Sequence, residues 1–275
     1  MSGGDLTESA AALYRLAPIL RARILRMINA AAAGHPGGSL SVIDMLSALM
    51  LAWGRNRPHA PLNDWLVLGK GHAAPAYYAI LMELGYIDEE ELHTYRHLGT
   101  RLQGHPDRRK FPGVQVTTGH LGHGLSIGAG IALGEKILKS GRKVYVVLGD
   151  GDLHEGQTWE AVMAAAHYRL TNLIAMIDLN GLSQHGAIEK IMNFEPLASK
   201  FESFGWRATE LDGHDFNQLL RALGSTQNQD RPGVLLCRTI KGKGVSFMEG
   251  NPLWHSRDLP DDLLEMALRE LNVTQ

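Results

Sequence analysis

The sequence contains almost no cysteine, no excess of charge of either sign, and no long apolar run. Cys237 is the single cysteine among 275 residues, which excludes an internal disulfide and a cysteine-built zinc cluster and is typical of a reducing compartment. The 27 Lys and Arg residues nearly balance the 29 Asp and Glu residues, giving a net charge of −2. Proteins that bind nucleic acid or anionic membranes usually carry a basic excess, so the sequence predicts neither partner.

The most apolar stretch, residues 42–53, contains Asp44 and Ser47 and is shorter than the roughly 20 residues that cross a bilayer. Acidic residues precede the first apolar segment, which is the wrong order for a secretory signal. We therefore expect a cytoplasmic protein without a membrane anchor.

Glycine and histidine, by contrast, are abundant. The chain has 31 glycines and 13 histidines, with 44% apolar and 20% charged residues, a balance typical of globular proteins. Excess glycine without low complexity indicates backbone packed closely against a neighbour, often a phosphate.

Segments with helical periodicity alternate with short apolar runs. The runs at residues 65–68, 144–148, 173–177 and 234–237 predict buried parallel strands. Helices are predicted at residues 73–84, 125–138, 155–168, 196–204, 215–223 and 261–271. This alternation predicts an α/β fold: a doubly wound, mostly parallel sheet with helices on both faces, forming a single domain over residues 1–275.

The N-terminal part has a different pattern, with two helices in succession. An apolar stripe from Leu13 to Ile28 predicts the first helix, which Pro18 either kinks or divides by starting a new helix. A glycine-rich segment then ends this helix. Ser39 or Ser41 is the predicted cap of the next helix, which runs to about Trp53.

Polar, glycine-rich segments follow three of the predicted strands. They are residues 69–72, 149–152 and 178–181, and ligands of such folds bind at the carboxyl ends of the strands. Asn180 stands 30 residues after Asp150. A carboxylate, an amide oxygen and a main-chain carbonyl form a hard-oxygen set that suits Mg²⁺ or Ca²⁺ completed by phosphates. The spacing predicts a metal-bridged diphosphate, although a Gly-Asp-Gly turn alone is common.

This pair of motifs resembles the thiamine-diphosphate signature, and its flanks resemble transketolases. The flanking matches are Gly-His-Pro-Gly-Gly-Ser at 34–39, Gly-His-Ala at 71–73, Gly-His-Pro at 104–106, Thr-Thr-Gly at 117–119, Gly-Asp-Gly-Asp-Leu-His-Glu-Gly at 149–156, Lys-Gly-Lys-Gly at 241–244 and Trp-His at 254–255. They follow the family order over nearly the whole chain. The resemblance implies transfer of a two-carbon ketol unit from a ketose, expected to be phosphorylated, to an aldose acceptor through a carbanion of thiamine diphosphate.

The resemblance also implies roles for individual residues. Asp150, Asn180 and the main-chain carbonyl of Leu182 are the expected ligands of Mg²⁺, for which Ca²⁺ or Mn²⁺ can substitute. The expected cofactor contacts are His72, Gly119, Leu121, Gly149, Asp150, Gly151, Glu155, Asn180, Leu182 and His255. The expected catalytic residues are His35, His72, His105 and His255. A lone histidine beside glycine is usually a loop residue, but the occurrence of four histidines in four family motifs favours a role for them at the active site.

Two features of the resemblance leave alternatives open. It covers only the diphosphate domain, so the pyrimidine and C-terminal domains are expected on a partner chain, in an α₂β₂ assembly of a split transketolase. His120 and His123 depart from the transketolase pattern, and His120 resembles deoxyxylulose-phosphate synthases. The alternative reaction is therefore acyloin formation from pyruvate. The chain could also be a non-catalytic subunit that only holds the cofactor, and the two histidines could serve only as helix caps. Lys241 and Lys243 either neutralise phosphate or are exposed.

Overall fold

The structure, a computed structural model, describes residues 3–53 and 64–273, so residues 1, 2, 54–63, 274 and 275 of the predicted domain lie outside the described residues. Its centre is a sheet of five strands in the order β1-β2-β3-β5-β4. These are β1 (Trp65–Leu68), β2 (Val144–Gly149), β3 (Leu173–Leu179), β4 (Arg207–Asp212) and β5 (Gly233–Arg238). Every neighbouring pair is parallel, which confirms the predicted parallel sheet.

Helices cover both faces of this sheet. They are α1 (Gly3–Ala30), α2 (Pro36–Ser47), α3 (Ala74–Glu83), α4 (His123–Leu138), α5 (Gly156–His167), α6 (Ile188–Met192), α7 (Leu197–Ser203), α8 (Phe216–Ser225) and α9 (Asp261–Glu270). A π-helical turn, Ala48–Trp53, extends α2. Across the two described stretches, none of these helices is both long enough and apolar enough to cross a bilayer.

The alternation of side chains along the strands creates two apolar cores. In β2, Val144 and Val146 pack with α4, α5 and α7, whereas Tyr145 and Val147 pack with α1, α2, α3, α8 and α9. Successive residues of a strand point to opposite faces, so an entirely apolar strand is buried on both sides. The doubly wound arrangement is thereby confirmed.

Near the N-terminus, one of the two alternatives for Pro18 and the predicted helix cap are wrong. Pro18 lies inside α1, which is continuous from Gly3 to Ala30, so no new helix starts there. The next helix begins at Pro36, before the serines, because the fixed φ and missing N–H of proline suit the first helical position. Ser41 lies inside this helix and donates a 2.6 Å hydrogen bond to Asp178 Oδ2 instead of capping.

The sheet also has an edge strand that the sequence does not predict. β4 lies at one end of the sheet and is mostly exposed or only partly buried. Its Arg-Ala-Thr-Glu-Leu-Asp sequence lacks the apolar run by which buried strands are recognised, because an edge strand needs little burial. Its end nevertheless contributes a loop near the site described below.

Glycines allow the segments at the carboxyl edge to approach closely. A Cβ on Gly124, in the first turn of α4, would lie 2.6 Å from the Cα of Gly69 at the end of β1. A Cβ on Gly71 would lie 3.0 Å from the Cα of Gly119. Part of the glycine excess therefore reflects backbone packed against backbone.

We expect Gly124→Ala to lower the free energy of unfolding by about 1–3 kcal/mol, the cost of overpacking. Gly134 lies in the same helix with no heavy atom within 4 Å of an added Cβ, so Gly134→Ala should raise stability by up to about 1 kcal/mol. Urea denaturation of the two variants checks this. Equal effects on stability would contradict the close approach at Gly124.

Candidate active site

A cavity of about 260 Å³ opens at the carboxyl edge of the sheet. Segments after β1, β2, β3 and β5 bring Lys70, Asp150, Asn180 and Lys241 to its wall. Of the predicted cofactor contacts, the lining includes His72, Leu121, Gly149, Asp150, Gly151, Glu155, Asn180, Leu182 and His255. Gly119 lies next to it, against Gly71 and the ring of His105.

The carboxylate of Asp150 is buried in the turn after β2. Its Oδ1 accepts a hydrogen bond from the Gly151 N–H at 3.0 Å, and its Oδ2 accepts from the Gly181 N–H at 2.8 Å. Burial, followed by the negative charge of Asp178, raises the pKa of Asp150 to about 6. Both effects disfavour a lone anion, so a cation bound here would stabilise the ionised carboxylate.

The predicted metal ligands form a donor set that fits a hard cation. Asp150, Asn180 and Leu182 all line the one cavity, and the Leu182 carbonyl already accepts a hydrogen bond from the ammonium of Lys241 at 2.8 Å. Within residues 3–53 and 64–273, no group of three His, Cys, Asp or Glu side chains could hold a metal ion. An ion in this cavity would therefore be held by one carboxylate, amide and main-chain oxygens, and ligand oxygens, as Mg²⁺ prefers.

Asp152 is a buried residue that sequence reasoning did not single out. Its Oδ2 accepts from the Gly149 N–H at 2.8 Å, and its Oδ1 accepts from the Gly122 N–H at 2.9 Å. It thereby joins the turn after β2 to the start of α4. The only indication of this role in the sequence is the position of Asp152, two residues after Asp150. Its hydrogen bond to the Gly122 N–H, 30 positions away, cannot be read from the sequence.

Lys70 and Asp178 form an ion pair beneath the cavity, which sequence reasoning also missed. The side chains are 2% and 0% exposed. Lys70 donates to the Gly38 carbonyl at 3.1 Å, and Ser41 and Thr239 donate to the carboxylate of Asp178. Burial acts to raise the pKa of Asp178, but Lys70 and these hydrogen bonds outweigh it and hold the pKa below its ordinary value.

The structure separates the two lysines of the Lys-Gly-Lys-Gly motif. Lys241 is 2% exposed, lines the cavity, and lies 3.0 Å from His255 Nδ1. Burial, with the nearby charge of Lys70, lowers its pKa to about 8. Lys243 is partly exposed and pairs with Glu249 at 3.4 Å. Of these two lysines, only Lys241 is placed to neutralise a phosphate in the cavity.

The four histidines predicted to be catalytic cluster around His35. Two of them, His72 and His255, line the cavity, and His35 and His105 do not. The His35 ring lies 5.1 Å from that of His72, 5.7 Å from that of His255 and 6.5 Å from that of His105, centroid to centroid. Burial lowers the pKa of His35 to about 4 and that of His255 to about 3, and nearby cations add to both effects. Burial also lowers the pKa of His72 and His105. All four rings are therefore neutral at pH 7.

His120 and His123 are not in the lining of the cavity, although they flank Leu121, which is. His120 and His123 are exposed, with ring centroids 5.5 Å apart. Gly122 occupies the N-cap of α4, which has no capping side chain, so the two histidines are not helix caps. Glu155 is exposed beside Gly122, where an added Cβ would lie 2.5 Å from the Glu155 Cβ.

The sequence matches the family model for the transketolase thiamine diphosphate binding domain over residues 14–273. An apulose-4-phosphate transketolase subunit from Actinobacillus succinogenes is 40% identical over 98% of this chain and 97% of that protein. The 6-deoxy-6-sulfo-D-fructose transketolase subunit SqwG of Clostridium sp. is 38% identical over 97% of this chain and 98% of that protein. Human transketolase is 36% identical over 94% of this chain, which spans 42% of the human protein.

Solved transketolases have the same fold. A structure of the Pichia stipitis enzyme in complex with xylulose 5-phosphate matches with a TM-score of 0.90 and 29% identity, over 97% of this chain and 41% of that one. The Campylobacter jejuni enzyme matches with a TM-score of 0.86 and 30% identity, over 99% of this chain and 43% of that one. The chain thus spans nearly all of the two bacterial subunits but less than half of the longer enzymes. It belongs to the transketolase family and carries the thiamine diphosphate binding domain.

Proposed function

We propose that this chain is the N-terminal subunit of a split transketolase, which moves a two-carbon ketol unit from a ketose to an aldose with thiamine diphosphate and Mg²⁺. The observation that carries the proposal is the cavity in which Asp150, Asn180, Leu182 and Lys241 converge with two members of the cluster of neutral histidines. Relatives named for apulose 4-phosphate and sulfofructose support anionic sugars as substrates.

In this proposal the chain anchors the cofactor through its diphosphate. Asp150, Asn180 and the Leu182 carbonyl would hold the cation, and Lys241 would supply further positive charge. The Gly151 N–H, which donates to Asp150 Oδ1 in the structure, would exchange this bond for one to a phosphate oxygen. When bound, thiamine diphosphate supplies the nucleophilic carbon that carries the ketol unit between sugars. The protein contributes binding, orientation and proton transfer.

The neutral histidines are suited to sugar hydroxyls and to proton transfer. A neutral imidazole has one N–H donor and one acceptor nitrogen. The Lys241 ammonium can only donate, so the 3.0 Å contact makes His255 Nδ1 the acceptor and leaves the proton on Nε2. His35 Nδ1 is buried without a hydrogen-bond partner among the described residues. We assign His35 and His105 to substrate, and His72 and His255 to the reacting carbon.

The rim of the cavity supports the need for a partner. Leu121, which is 38% exposed, and Gly119 are proposed to contact one side of the aminopyrimidine, and exposed Glu155 to contact an adjoining protomer. We propose that the partner carries the pyrimidine and C-terminal domains and the glutamate that activates the cofactor, in a cytoplasmic α₂β₂ assembly. Relatives of this length are named as subunits of a transketolase, which supports such a partner.

One observation favours a second candidate function. His120 and His123 flank Leu121, which lines the cavity, and His120 resembles deoxyxylulose-phosphate synthases, so acyloin formation from pyruvate is the alternative reaction. A ketose donor and pyruvate, supplied separately to the assembled enzyme, distinguish the two by their products. A subunit that only holds the cofactor would release neither product.

Asp150→Asn should weaken Mg²⁺-dependent binding of thiamine diphosphate by more than about tenfold, equivalent to about 1.4 kcal/mol, because it removes the anionic ligand. Calorimetric titration of the assembled complex measures the affinity, and circular dichroism checks the fold. Asp230→Asn is the control, because Asp230 is exposed and pairs only with Arg207 and Arg231 among the described ion pairs. Wild-type affinity in Asp150→Asn would contradict the proposed metal site.

The buried histidines should also make the fold sensitive to acid. The folded-state pKa values of His35 and His255, about 4 and about 3, lie below the ordinary 6.5, so the unfolded chain binds more protons within that window. The free energy of unfolding should therefore fall as the pH drops from about 6.5 towards 4. Urea denaturation across this range measures the slope, which His35→Gln should reduce. A free energy of unfolding that rises as the pH falls through this range would contradict the lowered pKa values of the buried histidines.

The chain alone should show no ketol transfer at saturating cofactor and Mg²⁺, because its half of the site leaves the aminopyrimidine without the partner's glutamate. Co-expression with the partner subunit should restore turnover. The measurement is a coupled assay of the purified chain, with a gel to establish its composition. Robust turnover by this polypeptide alone would contradict the split-enzyme proposal.

A further inference from the structure

A buried polar network lies behind the cavity and outside its lining. Arg21 in α1 donates to Asp44 Oδ2 in α2 at 2.6 Å, and His214 Nδ1 lies 2.7 Å from the same oxygen. Arg21 and Asp44 are 6% and 3% exposed. The negative charge of Asp44 is thus matched by one guanidinium, and the pKa of Asp44 stays below its ordinary value because Arg21 and His214 outweigh the effect of burial.

The hydrogen bonds determine the tautomer of His214. The main-chain N–H of Ile240 donates to His214 Nε2 at 2.8 Å. Because a main-chain N–H can only donate, Nε2 is the acceptor, and the ring proton is on Nδ1, where it is donated to Asp44. The neutral imidazole therefore connects α2 to the segment that follows β5.

The same network holds the chain on both sides of Lys241. Ile240 is bound through its N–H to His214, and the Lys243 carbonyl accepts from Arg21 Nε at 2.8 Å. Between them, the Gly242 N–H donates to the Gly37 carbonyl at 3.0 Å. Fixing the main chain at these points determines where the Lys241 ammonium reaches.

His214 is itself held in place by the loop after β4. The N–H of Gly213 donates to the Arg238 carbonyl at 2.8 Å, and the N–H of His214 donates to Asp212 Oδ1 at 2.8 Å. A Cβ on Gly213 would lie 2.4 Å from Thr239 Cγ2. The loops after β4 and β5 are therefore packed against each other, and His214 is the side chain that joins them to Asp44.

We propose that His214 is a positioning residue for the diphosphate site: bound to Asp44, it holds Ile240 so that Lys241 reaches the cavity. His214 itself touches neither cofactor nor substrate. The inference rests on the proposed function, because it assigns Lys241 to the diphosphate. The inference predicts energetic coupling between His214 and Lys241, whose side chains have no direct hydrogen bond to each other.

The test is a double-mutant cycle on the full chain, with inorganic pyrophosphate and Mg²⁺ as the probe in calorimetric titrations. His214→Phe should weaken binding at least fivefold in the wild-type background but less than twofold in Lys241→Met, since its effect passes through Lys241. His93→Phe, at an exposed position in the Glu89–Thr94 turn, is the control and should leave binding unchanged.

Two smaller substitutions decide the matter even if His214→Phe fails to fold. The amide oxygen of Gln overlays the Nε2 position and can accept from Ile240, whereas the amide nitrogen of Asn overlays Nδ1 and retains only the bond to Asp44. His214→Asn loses the bond to Ile240 and should bind pyrophosphate at least fivefold more weakly than wild type. His214→Gln keeps that bond and loses only the bond to Asp44, so it should bind pyrophosphate more tightly than His214→Asn.

Three outcomes would overturn the inference, and they are distinguishable. Equal effects of His214→Phe in both lysine backgrounds, or equal binding by the Gln and Asn variants, would show that His214 serves the fold alone. Absence of Mg²⁺-pyrophosphate binding by the wild-type chain would overturn the proposed diphosphate site itself, and the inference with it. Thermal unfolding of each variant establishes that the measured chain is folded.

Discussion

The buried ion pair of Lys70 and Asp178 is the interaction on which the site depends. Two charges taken out of water are tolerated only when their remaining hydrogen-bonding capacity is satisfied. Ser41, Thr239 and the Gly38 carbonyl supply those bonds, and they come from α2 and from the segment after β5. Satisfying this one pair therefore holds four separate parts of the chain at the carboxyl edge of the sheet.

The chemistry of the cavity follows from this arrangement of charge. Asp150 is buried near a second carboxylate, which raises its pKa and favours a bound cation. Lys70 and Lys241 are buried beside histidines, and burial with these positive charges keeps the imidazoles neutral. The edge thus combines a buried carboxylate that a cation would stabilise, two buried lysine ammonium groups and a cluster of uncharged imidazoles.

The sequence predicts the parts of this structure that depend on local pattern. The four buried strands are recognisable because both of their faces are apolar, and Asp150 and Asn180 because each ends such a strand beside glycine. β4 is missed because an edge strand needs no apolar run. Ser41 is wrongly predicted to cap a helix because its hydrogen-bond partner, Asp178, lies 137 positions away in the sequence. Asp152, Lys70 and His214 were missed for the same reason: their roles arise only from contacts that the fold creates.

We propose that the carboxyl edge of this sheet holds a divalent cation and a diphosphate. The most direct test is anomalous X-ray scattering from crystals of the chain grown with Mn²⁺ and pyrophosphate. The account predicts one strong manganese peak bonded to Asp150, Asn180 and the Leu182 carbonyl, with the diphosphate alongside. A manganese peak bound by other residues, or diphosphate bound without contact to this cavity, would contradict it.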